Sequence, residues 1–128
     1  MKNRIGQGLD AHQLSIDTPL IIGGVSIPFK RGSKGYSDGD VLYHAIVDAI
    51  LGALALGDIG QYFPSTDESY RNVDSCEFLT YTHSLIREKD YEVSNIDATI
   101  ILQEPQLSIY IAEMKKNISQ ILVIPTEA

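Results

Sequence analysis

The stretch SDGDVLYHAIVDA, at residues 37–49, decides the fold, because a helix begins in it and most of that helix is apolar. Ser37 is typical of the residue that precedes a helix, and Asp40 stands three positions later, where its carboxylate can complete a capping box. The pattern predicts a helix to about Leu56, where Gly57 supplies the stop. Its aliphatic surface is wide, so we expect it to be buried.

A hairpin precedes this helix in the sequence. The pair Gly23 and Gly24 lies between Leu20–Ile22 and Val25–Ile27, and paired glycines supply the positive φ angles that two-residue hairpin turns require. Residues 30–35 are basic and interrupted by glycine, which predicts a mobile loop between the hairpin and the helix.

After the helix, the pattern predicts an irregular loop at residues 58–67, a helix at 75–89, a β-branched strand at 96–102 and a last helix at 108–122. This order predicts an α+β layer fold, in which a small mixed sheet has helices packed on one face.

Length and composition limit the class of protein. The chain has 128 residues, 44% of them hydrophobic, which predicts a single domain over residues 1–128. Lys and Arg number 10 against 17 Asp and Glu, for a formal net charge of −7, and this argues against nucleic acid as the partner. A small phosphorylated ligand held through metal ions or backbone N–H groups stays compatible with that charge.

Localisation is predicted from what the sequence lacks. Cys76 is the single cysteine, so we expect no intrachain disulfide and a reducing compartment. No stretch is long and apolar enough to span a bilayer, and no signal or transit pattern is visible. We therefore expect a cytoplasmic protein with no membrane partner, or a plastid-type location if a transit peptide has been removed.

Acidic residues and histidines form the candidate metal site. Asp10 and His12 lie two positions apart, and on an extended backbone both side chains point the same way. Asp40, His44 and Asp48 follow an i, i+4, i+8 spacing and form one polar stripe on the apolar helix. One arrangement is a metal bound by Asp10, His12 and His44, with Asp40 or Asp48 orienting the His44 ring. Spacing alone favours structural roles for the two histidines, although two histidines and a carboxylate also match catalytic zinc.

Other polar features have two interpretations each. The helix start at residues 37–40 has the geometry of an anion site, but local evidence favours simple capping. Residues 58–60 and 63–67 can hold a polyol or only shape a turn. We expect His83 on the surface of the second helix, and Cys76 without a catalytic role.

Taken together, these segments resemble the 2-C-methyl-D-erythritol 2,4-cyclodiphosphate synthases of the non-mevalonate isoprenoid pathway. The resemblance runs in register from Arg4 to about Leu122. The segments that carry it are RIGQGLDAH at 4–12, GGV at 23–25, SDGDVLYHAIVDA at 37–49, LGDIG at 56–60, FPSTD at 63–67 and NIDATII at 95–101.

The resemblance implies a homotrimer with active sites between subunits, in which Asp10, His12 and His44 are catalytic zinc ligands. It also implies a second divalent ion, Mg²⁺ or Mn²⁺, on the diphosphate of the substrate. The implied reaction is intramolecular: the 2-phosphate of 4-diphosphocytidyl-2-C-methyl-D-erythritol 2-phosphate attacks the β-phosphorus, closes a cyclic diphosphate and releases CMP. The positions that the resemblance places against substrate are Tyr36, Ser37, Asp58, Gly60, Phe63, Thr66, Asp67, Leu102 and Gln106.

The sequence also departs from the family pattern. Gln7 and Tyr36 stand where the family often has histidine, and Gln106 stands where it has lysine. After about residue 122 only Thr126 and Glu127 faintly match the family's C-terminal motif, so we expect the family pattern to be truncated there. Two alternatives follow: a truncated or degenerate relative that binds metal or nucleotide, or only assembles, without turnover, and a zinc hydrolase in which Asp40 or Asp48 is the general base.

Overall fold

A computed structural model describes residues 2–35, 37–71 and 73–128. Within these ranges the chain has an α+β fold, as predicted. The helices are α1 (Val41–Ala53), the single-turn α2 (Ile59–Tyr62), α3 (Ser75–Glu88) and α4 (Ile111–Leu122), with 3₁₀ turns at Glu68–Tyr70 and Ser108–Tyr110. The strands are β1 (Leu14–Ile16), β2 (Leu20–Ile22), β3 (Val25–Ile27) and β4 (Arg31–Ser33).

The described strands form two antiparallel pairs, β1 with β4 and β2 with β3, in place of the single mixed sheet that was predicted. The β2–β3 hairpin is confirmed, with Leu20 opposite Ile27. Gly23 and Gly24 have φ angles of +59° and +73°, which is the left-handed turn that matches the twist of a hairpin.

The prediction of a mobile loop at residues 30–35 is wrong, because Arg31–Ser33 forms β4. Its partner is Leu14–Ile16, and Lys34 extends the pairing by donating its N–H to the Gln13 carbonyl oxygen at 2.7 Å. A glycine is needed in this strand for close approach, since a Cβ on Gly32 would collide with neighbouring backbone carbonyl oxygens. Glycine in this segment suggested mobility, but Gly32 instead allows β4 to pack closely against neighbouring backbone.

Helix α1 begins at Val41, later than predicted, because Asp40 itself is the N-cap. Its carboxylate accepts a hydrogen bond from the Tyr43 N–H at 3.1 Å, which satisfies one of the free donors of the first turn. Ser37 therefore does not cap this helix. At the other end the chain leaves the helix after Ala53, and Gly57 has a φ of +102°.

The core lies between α1 and α3, with the β2–β3 hairpin and one face of α4 closing it. Helices α3 and α4 confirm the predicted helices to within a few residues, with the first turn of the last helix in 3₁₀ form. None of the described helices has the length and apolar character needed to cross a membrane. The buried apolar residues include Leu20, Ile22, Val25, Ile27, Tyr43, Ile46, Val47, Leu51, Phe78, Leu79, Ile86, Met114 and Leu122.

The prediction of a strand at residues 96–102 is wrong for this chain. The segment has no partner strand among the described residues, and the Ile96 N–H donates to the Ala128 carbonyl oxygen at 3.0 Å. Ile101 is 95% exposed. β-branched residues favour extended backbone, but a strand also needs a neighbour with which to pair.

Candidate metal centre

Asp10, His12 and His44 come together at one point, as predicted. His12 Nε2 lies 2.7 Å from Asp10 Oδ2, His44 Nδ1 lies 3.2 Å from the same oxygen, and the two nitrogens are 3.3 Å apart. His44 is buried, and the other two residues are half-buried. Three donor atoms this close together can share one metal ion.

Two glycines bring the N-terminal segment to the helix that carries His44. A Cβ on Gly6 would collide with the carbonyl oxygen of Ala49, and a Cβ on Gly8 would collide with that of Ala45. Only glycine therefore lets this segment lie directly on the α1 backbone. This contact places Asp10 and His12 beside His44.

The outer nitrogen of His12 is held by the backbone. His12 Nδ1 lies 3.0 Å from the Lys34 carbonyl oxygen. A carbonyl only accepts hydrogen bonds, so Nδ1 carries the proton in the neutral ring and the Nε2 lone pair faces Asp10 and His44. This tautomer is the one that a metal ion at this point requires.

The outer nitrogen of His44 is held by hydroxyl groups. His44 Nε2 lies 2.7 Å from Ser75 Oγ and 3.1 Å from Ser37 Oγ. Ser75 is the first residue of α3 and is fully buried, and its hydroxyl also contacts the Asp38 carboxylate. Ser37 is therefore part of the site rather than a helix cap.

Neither Asp40 nor Asp48 orients His44, so that prediction is wrong. Asp40 accepts hydrogen bonds from the Gly23 and Gly24 N–H groups at 2.9 and 2.8 Å, and it joins the hairpin to α1. Burial raises the pKa of Asp40 to about 6, although its backbone hydrogen bonds oppose the rise. Asp48 accepts the Ile59 N–H at 2.8 Å, and burial raises the pKa of this carboxyl as well.

Asp10 and His12 form a charge-assisted pair in the metal-free protein. Burial by itself would raise the pKa of Asp10, but the neighbouring His12 and His44 rings hold it well below its usual range. The hydrogen bond to Asp10 raises the pKa of His12 above its ordinary value, against the opposing effect of burial. Asp10 therefore stays ionised, as a metal ligand must be.

Two groups of predicted substrate residues are connected to α1 and α3, the helices that carry His44 and Ser75. The Asp58–Gly60 turn is tied to α1 through the Asp48 hydrogen bond to Ile59, and Asp58 caps α2 by accepting the Gln61 N–H at 3.0 Å. The Phe63 ring stacks on Phe78 at 4.3 Å between centroids, and the Phe78 ring lies 6.0 Å from that of His44.

Within the described part of the chain, Thr66, Asp67, Leu102 and Gln106 make no hydrogen bond with the triad. Thr66 and Asp67 are exposed, and hydrogen bonds from Ser69 lower the pKa of Asp67. Leu102 lines a separate cleft of about 260 Å³ that also contains Arg31. Gln106 is exposed and is not part of that cleft. The remaining residue of the prediction, Tyr36, lies outside the described residues.

Sequence reasoning missed Ser75, Asp38 and the Lys34 carbonyl as partners of the two histidines. Asp74 and Ser75 are typical of a helix start, and Asp74 does cap α3 by accepting the Cys76 N–H. That local signal gave no reason to connect Ser75 with a histidine 31 positions earlier.

The fold and the site define a class of protein: a small α+β domain with one candidate mononuclear metal centre between a glycine-rich N-terminal segment and two helices. A profile of the YgbB family matches residues 3–128. The 2-C-methyl-D-erythritol 2,4-cyclodiphosphate synthase of Clostridium kluyveri is 54% identical over 123 residues, which cover 96% of this chain and 75% of that relative. The synthase of Clostridioides difficile is 56% identical over 119 residues, covering 93% of this chain and 74% of the relative.

Solved structures agree with the sequence relatives. The bifunctional IspDF of Campylobacter jejuni has a TM-score of 0.91 at 40% identity, covering 97% of this chain and 34% of that one. IspF of Plasmodium falciparum, in a complex with CDP, has a TM-score of 0.83 at 40% identity, covering 97% of this chain and 76% of that one.

This chain belongs to the YgbB family of 2-C-methyl-D-erythritol 2,4-cyclodiphosphate synthases. The enzymes of this name are lyases that carry out the cyclisation step of isoprenoid precursor biosynthesis. The resemblance found in the sequence is therefore confirmed.

Proposed function

We propose that the chain closes the cyclic diphosphate of 4-diphosphocytidyl-2-C-methyl-D-erythritol 2-phosphate at a zinc ion held by Asp10, His12 and His44. The observation that carries this proposal is the convergence of three donor atoms whose outer partners are already in place. Two neutral histidines and one ionised carboxylate fit zinc, and three protein ligands leave a coordination position open for substrate, as in catalytic zinc sites.

The reaction needs orientation more than proton transfer. An oxygen of the 2-phosphate forms a bond to the β-phosphorus while the bond from that phosphorus to the bridging oxygen breaks, and CMP leaves with the electron pair. The attacking phosphate is already ionised near neutral pH, so no general base is required. Bound zinc supplies charge neutralisation and polarisation at the diphosphate, and a second divalent ion, Mg²⁺ or Mn²⁺, neutralises its α and β phosphates.

We assign the substrate contacts in four groups. Ser37, beside His44, and the neighbouring Tyr36 contact phosphate, and the Asp58–Gly60 turn holds the erythritol portion. The loop with Phe63, Thr66 and Asp67 lies against the substrate, and Leu102 and Gln106 contact the cytidine bound to an adjoining subunit. The CDP complex of the Plasmodium falciparum relative supports a cytidine diphosphate site in this fold.

The proposed assembly is a homotrimer. Several large apolar side chains are exposed in the single chain, including Ile5 and Ile101, and the backbone of residues 96–102 has no partner strand among the described residues. Exposed apolar side chains and unpaired backbone groups are typical of surfaces that meet another subunit. Sedimentation at the mass of three chains tests this part separately.

The activity is tested by CMP release together with zinc content. We expect the wild-type protein to bind one zinc ion per chain and to release CMP from the substrate with Mg²⁺ present. The variant His44→Ala should lose both zinc and turnover. His83→Ala, which removes a histidine of α3 outside the site, is the matched control and should keep both. Zinc binding without CMP release would favour the relative without turnover, and zinc retained by His44→Ala would refute the site.

A further inference from the structure

A series of hydrogen bonds on the Nε2 side of His44 is not explained by helix capping. It runs from the Asp38 carboxylate through the Ser75 hydroxyl to His44 Nε2. Asp38 lies in the loop before α1, whereas Ser75 is the first residue of α3. These hydrogen bonds therefore join two elements that are distant in sequence. They reach His44 at Nε2, whereas Nδ1 faces Asp10.

The chemistry of the three groups fixes the direction of each hydrogen bond. A carboxylate can only accept, so the single hydroxyl proton of Ser75 goes to Asp38. The Ser75 oxygen must then accept from His44, which places the ring proton on Nε2. A neutral imidazole has one ring proton, so the Nδ1 lone pair points toward Asp10 and His12.

Backbone contacts hold Asp38 in place. Its carboxylate accepts the Ser75 N–H at 2.9 Å and the Asp40 N–H at 3.0 Å, while its own N–H donates to the Val73 carbonyl oxygen at 3.0 Å. A carboxylate fixed by two N–H groups has little freedom to turn away, so Ser75 keeps the same acceptor.

Ser37 is the weaker of the two hydroxyl partners of His44. Its Oγ lies 3.1 Å from Nε2, against 2.7 Å for Ser75, and it is half-buried whereas Ser75 is fully buried. A buried hydrogen bond at the shorter distance restricts the ring more strongly.

We propose that Ser75, held by Asp38, is a positioning residue that fixes the orientation and tautomer of His44 and so directs Nδ1 at the metal ion. This inference rests on the proposed metal site. Partners of this kind on metal-binding histidines typically change metal affinity by about 10–100-fold. Ser75 does not touch the substrate in this proposal, and its effect passes through His44.

The test compares zinc affinity, by competition with a chelator, in the wild type, Ser75→Ala, Ser75→Thr and the matched control Ser119→Ala. Ser119 is a buried serine of α4 whose hydroxyl donates to the Lys116 carbonyl. We expect Ser75→Ala to bind zinc about 10-fold more weakly or worse, Ser75→Thr to recover most of that loss, and Ser119→Ala to match the wild type.

A second readout is the Nε2–H proton of His44 in the zinc-loaded protein, observed by ¹H–¹⁵N NMR. We expect a downfield, slowly exchanging signal in the wild type and in Ser119→Ala, and faster exchange in Ser75→Ala. A role of Ser75 in the stability of α3 alone would not move this proton. If Ser75→Ala fails to fold by circular dichroism, the zinc affinity of Asp38→Asn decides the question. The asparagine amide can donate to the Ser75 oxygen, so the hydroxyl proton of Ser75 is free to point toward His44.

The outcomes separate this inference from the proposed function. Lost zinc binding in His44→Ala together with wild-type affinity and an unchanged Nε2–H signal in Ser75→Ala would overturn only the role of Ser75. Equal zinc affinity in the wild type and His44→Ala would overturn the metal site and this inference with it. If Asp38→Asn is the deciding variant, wild-type affinity there overturns the inference.

Discussion

The metal centre and residues 96–102 differ in whether their polar groups find hydrogen-bond partners within one chain. At the centre, the outer nitrogens of His12 and His44 both reach oxygen atoms of the same chain. Along residues 96–102, the Ile96 N–H donates to the Ala128 carbonyl, and the structure gives no backbone acceptor for the other N–H groups of this segment within the described chain.

The difference shows which parts of the enzyme a single chain can build. The contacts of one chain are sufficient to bring Asp10, His12 and His44 together and to orient the two histidine rings. Residues 96–102 combine exposed apolar side chains with unpaired N–H groups, and such groups are normally paired in a native assembly. This segment is therefore the part that we expect to change most when subunits associate.

The largest expected effect is in amide hydrogen exchange. In dilute, monomeric protein we expect the interior amides of Val41–Ala53 to exchange about a thousandfold more slowly, or slower still, than those of residues 97–102. Protection of residues 97–102 should rise with protein concentration if copies meet there. Equal protection of both regions in protein shown to be monomeric by sedimentation would contradict the comparison.

The second prediction breaks the metal centre without touching a ligand. Gly8→Ala places a Cβ against the Ala45 carbonyl, so the N-terminal segment must shift and carry Asp10 and His12 away from His44. We expect turnover to fall by about 100-fold, since a displacement near 1 Å can have that effect. Zinc affinity and CMP release measure the change.

Gly52→Ala is the matched control for Gly8→Ala. A Cβ at Gly52 meets nothing within 4 Å, and the residue lies in α1. Alanine there should stabilise the helix by up to about 1 kcal/mol and leave zinc binding unchanged. A Gly8→Ala variant that binds zinc like Gly52→Ala would show that close backbone contact does not hold the centre together.

The third prediction concerns Asp40, which joins the β2–β3 hairpin to α1. Asp40→Ala removes a buried carboxylate that accepts from Gly23, Gly24 and Tyr43, and it leaves these N–H groups without their partner. We expect the free energy of unfolding to fall by about 3 kcal/mol. Chemical denaturation with urea measures this value.

Asp74→Ala makes the equivalent change at an exposed helix cap. Asp74 accepts one N–H, from Cys76, at the start of α3. The expected loss there is about 1 kcal/mol. Equal losses in the two variants would mean that Asp40 is only a helix cap and does not connect the hairpin to α1.

Local signals in the sequence predicted the hairpin and the long helices. The Gly23–Gly24 turn and the helix at Ser75–Glu88 depend on neighbours along the chain, so turn chemistry and periodicity were sufficient. The Asp10, His12 and His44 triad was inferred because ligand types and family motifs coincide. The β-branched pattern of residues 96–102 expresses a local preference for strand and carries no information on whether a partner strand is present.

The errors arose where a residue's partner is remote in sequence. The spacing of Asp40 and Asp48 on the helix stripe favoured His44 as their partner, whereas backbone N–H groups of the hairpin and of Ile59 take both carboxylates. Ser75 reaches His44 only because α3 packs on α1, and no local pattern contains that packing.

The smallest expected effect comes from His83, whose Nε2, unlike the ring nitrogens of His12, has no hydrogen-bond partner among the described residues. The His83 ring is half-buried, its Nε2 has no hydrogen-bond partner within the described residues, and burial followed by the nearby Arg87 lowers its pKa. The unfolded chain therefore binds this proton more readily than the folded chain. Stability should be unaffected well above pH 6.5 and should fall as the pH drops through that value.

The ring of His83 keeps some contact with solvent, so we expect a small effect, with a decrease in Tm on the order of 1 °C between pH 7 and pH 5 attributable to this residue. Thermal unfolding of His83→Phe across this range measures it, because phenylalanine keeps the ring volume and removes the titration. The wild type should lose slightly more stability on acidification than the variant. An identical pH dependence in both proteins would show that water already hydrates the His83 ring. Histidines with hydrogen-bonded ring nitrogens would then occur outside the metal centre as well.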